Sequence, residues 1–174
     1  MCILSFALVA LFVSCDKLDE LIKFEMDYDQ TVVIPSSTGV DLPFDIFTPE
    51  TETNSSAEFE VNDTRKDLIE EIVLKKLIMT VEVPEGEDFS FLESIIIYMS
   101  TDDLPEIKIA WNEEVSATAG EQLELVTTAE DLKEYIKKDS YTLRLKTITD
   151  EFLSSDYEIN IATTFFVDAK ILGL

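Results

Sequence analysis

Phe24-Glu25-Met26-Asp27-Tyr28-Asp29 alternates apolar and acidic side chains without a break. Successive side chains of a β-strand point to opposite faces, so this spacing predicts a strand with one face in a core and the other in water. Thr31-Val32-Val33-Ile34 prolongs the strand, and Pro35-Ser36-Ser37-Thr38-Gly39 ends it as a turn. The same period recurs in Leu77, Met79, Val81 and Val83, set against Lys76, Thr80 and Glu82, with Pro84-Glu85-Gly86-Glu87 closing that strand. Further runs are Ile107, Ile109 and Trp111, then Tyr141, Leu143 and Leu145, then Tyr157, Ile159, Ile161, Phe165 and Val167.

Other segments break the pattern in informative ways. Val40 to Phe47 reads as a strand whose Pro43 confines it to an edge or a bulge, because proline cannot donate to a ladder. Residues 48–56 are polar and read as loop. Phe59 and Val61 suggest a short strand, after which Asn62-Asp63 caps a short helix through Leu68, Ile69 and Ile72. Phe89, Phe91 and Leu92 form an apolar connector. Ile95-Ile96-Ile97-Tyr98-Met99 is apolar on both faces, which places it centrally in a sheet. Leu123 to Val126 reads as strand. Thr127-Thr128-Ala129-Glu130 has the spacing of a capping box, ahead of a helix with Leu132, Tyr135 and Ile136 as its apolar stripe. That helix, Ala129 to Lys138, is the expected cover for one face of the Ile95–Ile97 strand.

The tally is about eight or nine strands, two short helices and connections too short for repeated crossovers. The expectation is an all-β fold: an antiparallel β-sandwich of Ig-like Greek-key topology, forming a single domain over residues 23–174.

Ahead of it, Leu8-Val9-Ala10-Leu11-Phe12-Val13-Ser14-Cys15 is an apolar run that ends on a small residue and a cysteine, followed by Asp16, Lys17, Asp19 and Glu20. Residues 1–14 carry no charged side chain, and the run is too short to span a membrane, which needs about 20 apolar residues. This stretch resembles the lipobox signal peptides of bacterial lipoproteins, and "SCDK" after a Phe-Val pair is similar to lipoproteins of the Bacteroidetes type. The resemblance implies a signal peptide over residues 1–14, cleavage between Ser14 and Cys15, lipidation of Cys15, a tether over residues 15–22, and a place in the cell envelope. There the protein would be held by lipid at the outer membrane, on its periplasmic or surface face. The chain opens Met1-Cys2-Ile3 with no positive n-region, so the natural start is expected upstream.

Composition narrows the chemistry. The cysteines are Cys2 and Cys15, so a chain processed at Cys15 has no thiol left for disulfides, zinc or nucleophilic attack. There is no histidine, which removes the commonest general base and metal ligand. Asp and Glu number 37 against 13 Lys and Arg, a formal charge of -24 that repels phosphate backbones. Nucleic acid is therefore not an expected partner. Asp27 with Asp29, Asp102 with Asp103, and Glu85, Glu87 with Asp88 are acidic runs of the kind that bind calcium, yet none has the spacing of a calcium loop. No serine stands in a G-x-S-x-G elbow. No cofactor or metal site is expected. Trp111, Tyr98 and Tyr157 are candidates for a ligand-stacking platform, with Trp111 the first residue to mutate.

The reading is a cell-envelope lipoprotein, not an enzyme, that serves as a binding or interaction module. It would join the membrane through its lipid anchor and meet an envelope protein or a glycan. The alternative is a carbohydrate-binding or nutrient-uptake accessory lipoprotein. One consequence of the charge is measurable. Self-repulsion is screened as the Debye length falls from ~30 Å at 10 mM salt to ~8 Å at 150 mM. The melting temperature should rise across that range of sodium chloride. Calcium at matched ionic strength should add little, and a saturable shift at micromolar calcium would contradict this.

Overall fold

The computed structural model describes residues 22–170. Cys15, the leader and most of the tether lie outside the described residues. The described residues form ten strands in two antiparallel sheets packed face to face, a β-sandwich as the alternation predicts. They are β1 (Lys23–Ile34), β2 (Phe44–Phe47), β3 (Thr51–Glu52), β4 (Ile69–Val83), β5 (Leu92–Ser100), β6 (Ile107–Asn112), β7 (Gln122–Glu124), β8 (Val126–Thr127), β9 (Ser140–Thr149) and β10 (Tyr157–Ala169). One sheet has the order β1-β10-β4-β7; the other has β2-β9-β5-β6-β8, with β3 pairing β9 beside it. Among the described residues, no helix is long and apolar enough to cross a membrane.

β10 carries thirteen residues of unbroken alternation and is paired on both sides, with β1 and with β4. β1 follows it from Lys23–Asp168 to Ile34–Tyr157 with no register shift. β4 cannot. Its sequence IEEIVLKKLIMTVEV buries Ile69, Ile72, Leu74, Leu77, Met79 and Val81, so two intervals are three residues long. Register shifts between Glu71 and Ile69 and between Lys76 and Leu74 absorb the extra residues, so the pairs Glu70-Glu71 and Lys75-Lys76 both face solvent at bulges. A third shift, between Val83 and Val81, turns Val83 outward, against its expected place on the face of Leu77, Met79 and Val81. This corrects the helix expected through Leu68, Ile69 and Ile72. A spacing of three looks helical in a sequence, but here it is a strand keeping one face on the core through two bulges. Only Lys66–Leu68 forms a short 3-10 turn.

Other differences follow from local chemistry. Val40 to Asp41 is not strand; β2 starts at Phe44, just past Pro43, and lies at a sheet edge as proline requires. The loop over residues 48–56 contains the two-residue β3. Phe59 and Val61 are not a strand. They belong to α1 (Ser55–Val61), entered through Asn54 in the left-handed conformation. Its buried residues, Ser55 and Phe59, are one helical turn apart, and Val61 is exposed. Asn62 closes that helix, with its side chain donating to the Glu58 carbonyl at 2.8 Å, and does not start another.

The helix expected over Ala129 to Lys138 shortens to α2 (Lys133–Ile136). Its start is capped by Asp131, whose Oδ1 accepts from the backbone N–H groups of Lys133 and Ile72, both at 3.0 Å, and not by a Thr127 box. Of the expected stripe, Leu132 and Ile136 are fully buried, while Tyr135 is half-buried and its hydroxyl donates to the Pro105 carbonyl at 2.7 Å. Yet α2 packs on β4 and β9 at the end of the sandwich and does not cover β5. The run over Leu123 to Val126 splits: β7 belongs to one sheet and β8 to the other, with Leu125 alone between them, buried and donating to the Leu77 carbonyl at 3.1 Å.

At the opposite side of the sandwich a polar group closes the core. Thr53 is fully buried; its Oγ1 donates to the Lys138 carbonyl, and its own carbonyl accepts from Tyr28 Oη at 2.8 Å. Tyr28, Tyr141 and Phe165 pack edge to face with centroids 5.8–6.4 Å apart. Gln30 Nε2 donates to Tyr141 Oη at 3.0 Å. Burial pushes the Tyr141 hydroxyl up to about 12.

β5 is central, as expected, but its faces differ. Ile95, Ile97 and Met99 are fully buried, whereas Ile96 and Tyr98 are half-exposed on the outer face. Ile97→Ala should therefore cost about 2–5 kcal/mol in urea unfolding. Ile96→Ala removes less buried area and should cost under ~1.5 kcal/mol. Equal losses would show that the outer face is covered.

Candidate functional site

The outer face of the β2-β9-β5-β6-β8 sheet gathers side chains from five strands. Register sets them in two cross-strand rows. One runs Val126, Trp111, Ile96, Lys146, Asp45. The next, two residues along, runs Lys108, Tyr98, Arg144, Phe47. Directly opposed residues in antiparallel strands have Cβ atoms about 4.5–5.5 Å apart, so each row is a continuous contact surface. Phe47 is 63% exposed and Val126 58%, while Tyr98, Ile96 and Trp111 are half-exposed.

A bulge puts Trp111 there. Ile97 pairs Ala110 while Tyr98 pairs Lys108, which leaves Ile109 as an extra residue in β6. The simple alternation Ile107, Ile109, Trp111 would have sent all three side chains into the core. With the bulge, Ile109 and Ala110 are buried and Trp111 emerges on the outer face beside Lys108. Lys108 Nζ then lies 4.0 Å from the Trp111 ring centroid and 3.5 Å from Glu113. Such a cation over an aromatic face contributes about 0.5–1 kcal/mol at an exposed site.

Tyr98 is flanked in the same way. The Arg144 guanidinium carbon lies 4.3 Å from its ring centroid. That guanidinium is held from both sides: Nε donates to Glu106 at 2.7 Å, Nη2 to the other oxygen of Glu106, and Nη1 to Asp45 at 2.6 Å. Two planar groups matched in this way fix orientation as well as charge. The bonds from Arg144 hold the Glu106 carboxyl below its ordinary range, against the opposing effect of burial. Lys146 has no ion-pair partner within 4.0 Å among the described residues.

Tyr98 and Trp111 are thus brought together as the stacking expectation requires, and Tyr157 is not. Tyr157 lies in the core face of β10, its ring 4.7 Å from that of Phe91 and its hydroxyl donating to Glu87 at 3.0 Å. Its place in the period Tyr157, Ile159, Ile161 was the signal for this. Phe47, Ile96, Lys108, Arg144 and Lys146 were not singled out in the sequence, because pairing register alone unites them.

The acidic runs are occupied locally. Asp27 accepts from Thr164 Oγ1 at 2.7 Å, Asp103 pairs with Lys138 at 2.7 Å, and Asp88 accepts from the Ser90 N–H at 2.9 Å. Among the described residues, no three Asp or Glu side chains gather so as to hold a metal ion. A depression of about 480 Å³ lies against α1, lined by Glu50, Glu52, Thr53, Ser55, Asp139 and Ser140. Glu50 accepts from Ser140 Oγ, and the Asp139 side chain stands fully in solvent, so these carboxylates are neither converged nor desolvated.

The Arg144 clamp gives the face a pH signature. A carboxyl held low in the folded state stabilises the fold above its unfolded pKa, about 4.3 for Glu, and loses that contribution as pH falls through the lower folded value. Glu106→Gln should therefore lower the melting temperature at pH 7, and the gap to the wild type should close as pH drops below about 4.3. A gap constant from pH 7 to pH 3 would show that Glu106 is not coupled to Arg144 in solution.

No protein-family model matches the chain, and no curated protein matches it. Among solved structures, it is similar to a chain of Desmodium yellow mottle tymovirus at 8% identity and a TM-score of 0.26, covering 87% of this chain and 90% of that one. It is also similar to a chain of turnip yellow mosaic virus at 8% identity and a TM-score of 0.27, covering 87% of this chain and 98% of that one. At scores this low the likeness carries no inference about what the protein does.

Proposed function

We propose that this chain is a cell-envelope lipoprotein, anchored through Cys15, whose β-sandwich is a non-catalytic binding module. The observation that carries the binding part is the outer face of the six-stranded sheet, where an exposed Phe47 and the half-buried Tyr98 and Trp111 lie beside an Arg144 fixed by two carboxylates. A sheet face facing water is normally polar, and large aromatics there mark a contact surface. The lipobox-like stretch ending at Cys15 supports the anchor. β1 begins at Lys23, eight residues beyond Cys15, and even fully extended chain of that length reaches at most ~29 Å. The domain would therefore work close to the membrane that holds it, which we take to be the outer membrane. A carbohydrate-binding or nutrient-uptake accessory role is the second reading, and Tyr98 and Trp111 on one face of neighbouring strands favour it.

The anchor has a direct test. Cells expressing the protein and fed a labelled fatty acid should give a labelled band that fractionates with membranes. Cys15→Ala should abolish the label and release the protein. One acyl chain gives only marginal membrane affinity, so stable retention would also indicate more than one chain. Undiminished labelling of the variant would end the lipoprotein reading.

A further inference from the structure

We propose that the Trp111–Tyr98 face binds a neutral oligosaccharide. This deepens the binding-module reading and rests on it, but it is independent of the anchor. Three properties of the face decide against other occupants. The first is size. Across β2 to β8 the five strands span about 19 Å, and Ser94 to Ser100 along β5 spans about 20 Å, a patch on the order of 400 Å². A stable protein interface needs about 800 Å² from each partner, so a folded protein finds too little here. The second is pairing. β5 and β6, which carry the aromatic rings, each have a strand on both sides, and the sheet's edges are the short β2 and β8, of four and two residues, so little backbone edge is offered to an incoming peptide strand. The third is charge. At -24 the chain repels polyanions, and the cations on this face are too few to reverse that.

What the face offers is suited to a sugar. The aliphatic C–H side of a pyranose packs on the electron-rich face of an aromatic ring, and its hydroxyls take both donors and acceptors. Arg144 with Asp45 and Glu106 supplies both, already fixed in place. Lys146 supplies free donors beside Ile96. Lys108 Nζ touches both the Trp111 ring and Glu113 from one position. An arriving sugar can take the ring while Lys108 keeps Glu113.

The test is native affinity electrophoresis of the full chain in detergent, through gels holding soluble starch, mixed-linkage β-glucan, galactomannan or polygalacturonate. At least one neutral polymer should retard the protein, and polygalacturonate should not. Trp111→Ala and Tyr98→Ala should each weaken retardation at least about tenfold, equivalent to ~1.4 kcal/mol of binding. Tyr98→Phe should retain it, and Lys108→Ala, which uncovers the Trp111 ring, should strengthen it; weaker retardation in Lys108→Ala would contradict the proposal. Melting curves show whether each variant is folded, and Tyr98→Phe and Lys108→Ala remain decisive if an alanine variant is not. No retardation by any of the three neutral polymers overturns the proposal, as does retardation by polygalacturonate or retardation indifferent to both aromatic rings. A labelled, membrane-bound protein that fails here leaves the lipoprotein reading standing without its sugar.

Discussion

β10 hydrogen-bonds along both of its flanks, to β1 on one side and to β4 on the other. A strand so enclosed has no water for its N–H and C=O groups, and each one left unpaired inside would cost about 1–3 kcal/mol. Its neighbours must therefore run beside it for its whole length, and they must keep an apolar face on the core while doing so. β1 does this with strict alternation. β4 does it with three register shifts, two of them marked by a pair of like-charged residues that solvent accepts easily and the third set at Glu82. The opposing sheet is then laid over the surface that these three strands make, with Ile95, Ile97, Leu143 and Leu145 facing inward.

Bulges have a second use on that opposing sheet. The one in β6 lets Ile109 and Ala110 both enter the core and sends Trp111 outward. The cost is a local break in the ladder between β5 and β6. What results is an aromatic ring beside Lys108, three positions away in the chain, which regular strand geometry would have put on the other face. Tyr98 needs no such device, because its parity in β5 is opposite to that of Ile97 and Met99. The contact surface is therefore made by one regular strand and one deliberately irregular strand, side by side.

This also explains what could be read in advance. The sandwich was legible because β1, β9 and β10 alternate cleanly and β5 is apolar on both faces. The first half of β4 was not, since bulges turn a period of two into steps of three, the mark of a helix. Phe59 and Val61 misled for the opposite reason: two apolar residues two apart look like a strand, and the helical partner of Phe59 is the unremarkable Ser55. At the candidate site, Trp111 and Tyr98 stood out as residue types. Their companions did not, because Phe47, Ile96, Lys108 and Arg144 are scattered through the chain and meet only through register.

The two long sides of the sandwich are closed by different means. On one, β7 and β8 sit at the edges of their sheets with a single residue, Leu125, between them, so main-chain continuity holds the sheets together. On the other, closure depends on hydrogen bonds through Thr53, from Tyr28 on one sheet and to Lys138 at the entry of β9. The domain is hinged like a book, with its spine at Leu125 and a clasp at Thr53. Main-chain continuity at the spine yields only if a strand unfolds, whereas the clasp is held by hydrogen bonds that water can replace, with Gln30 and Tyr141 buried beside it.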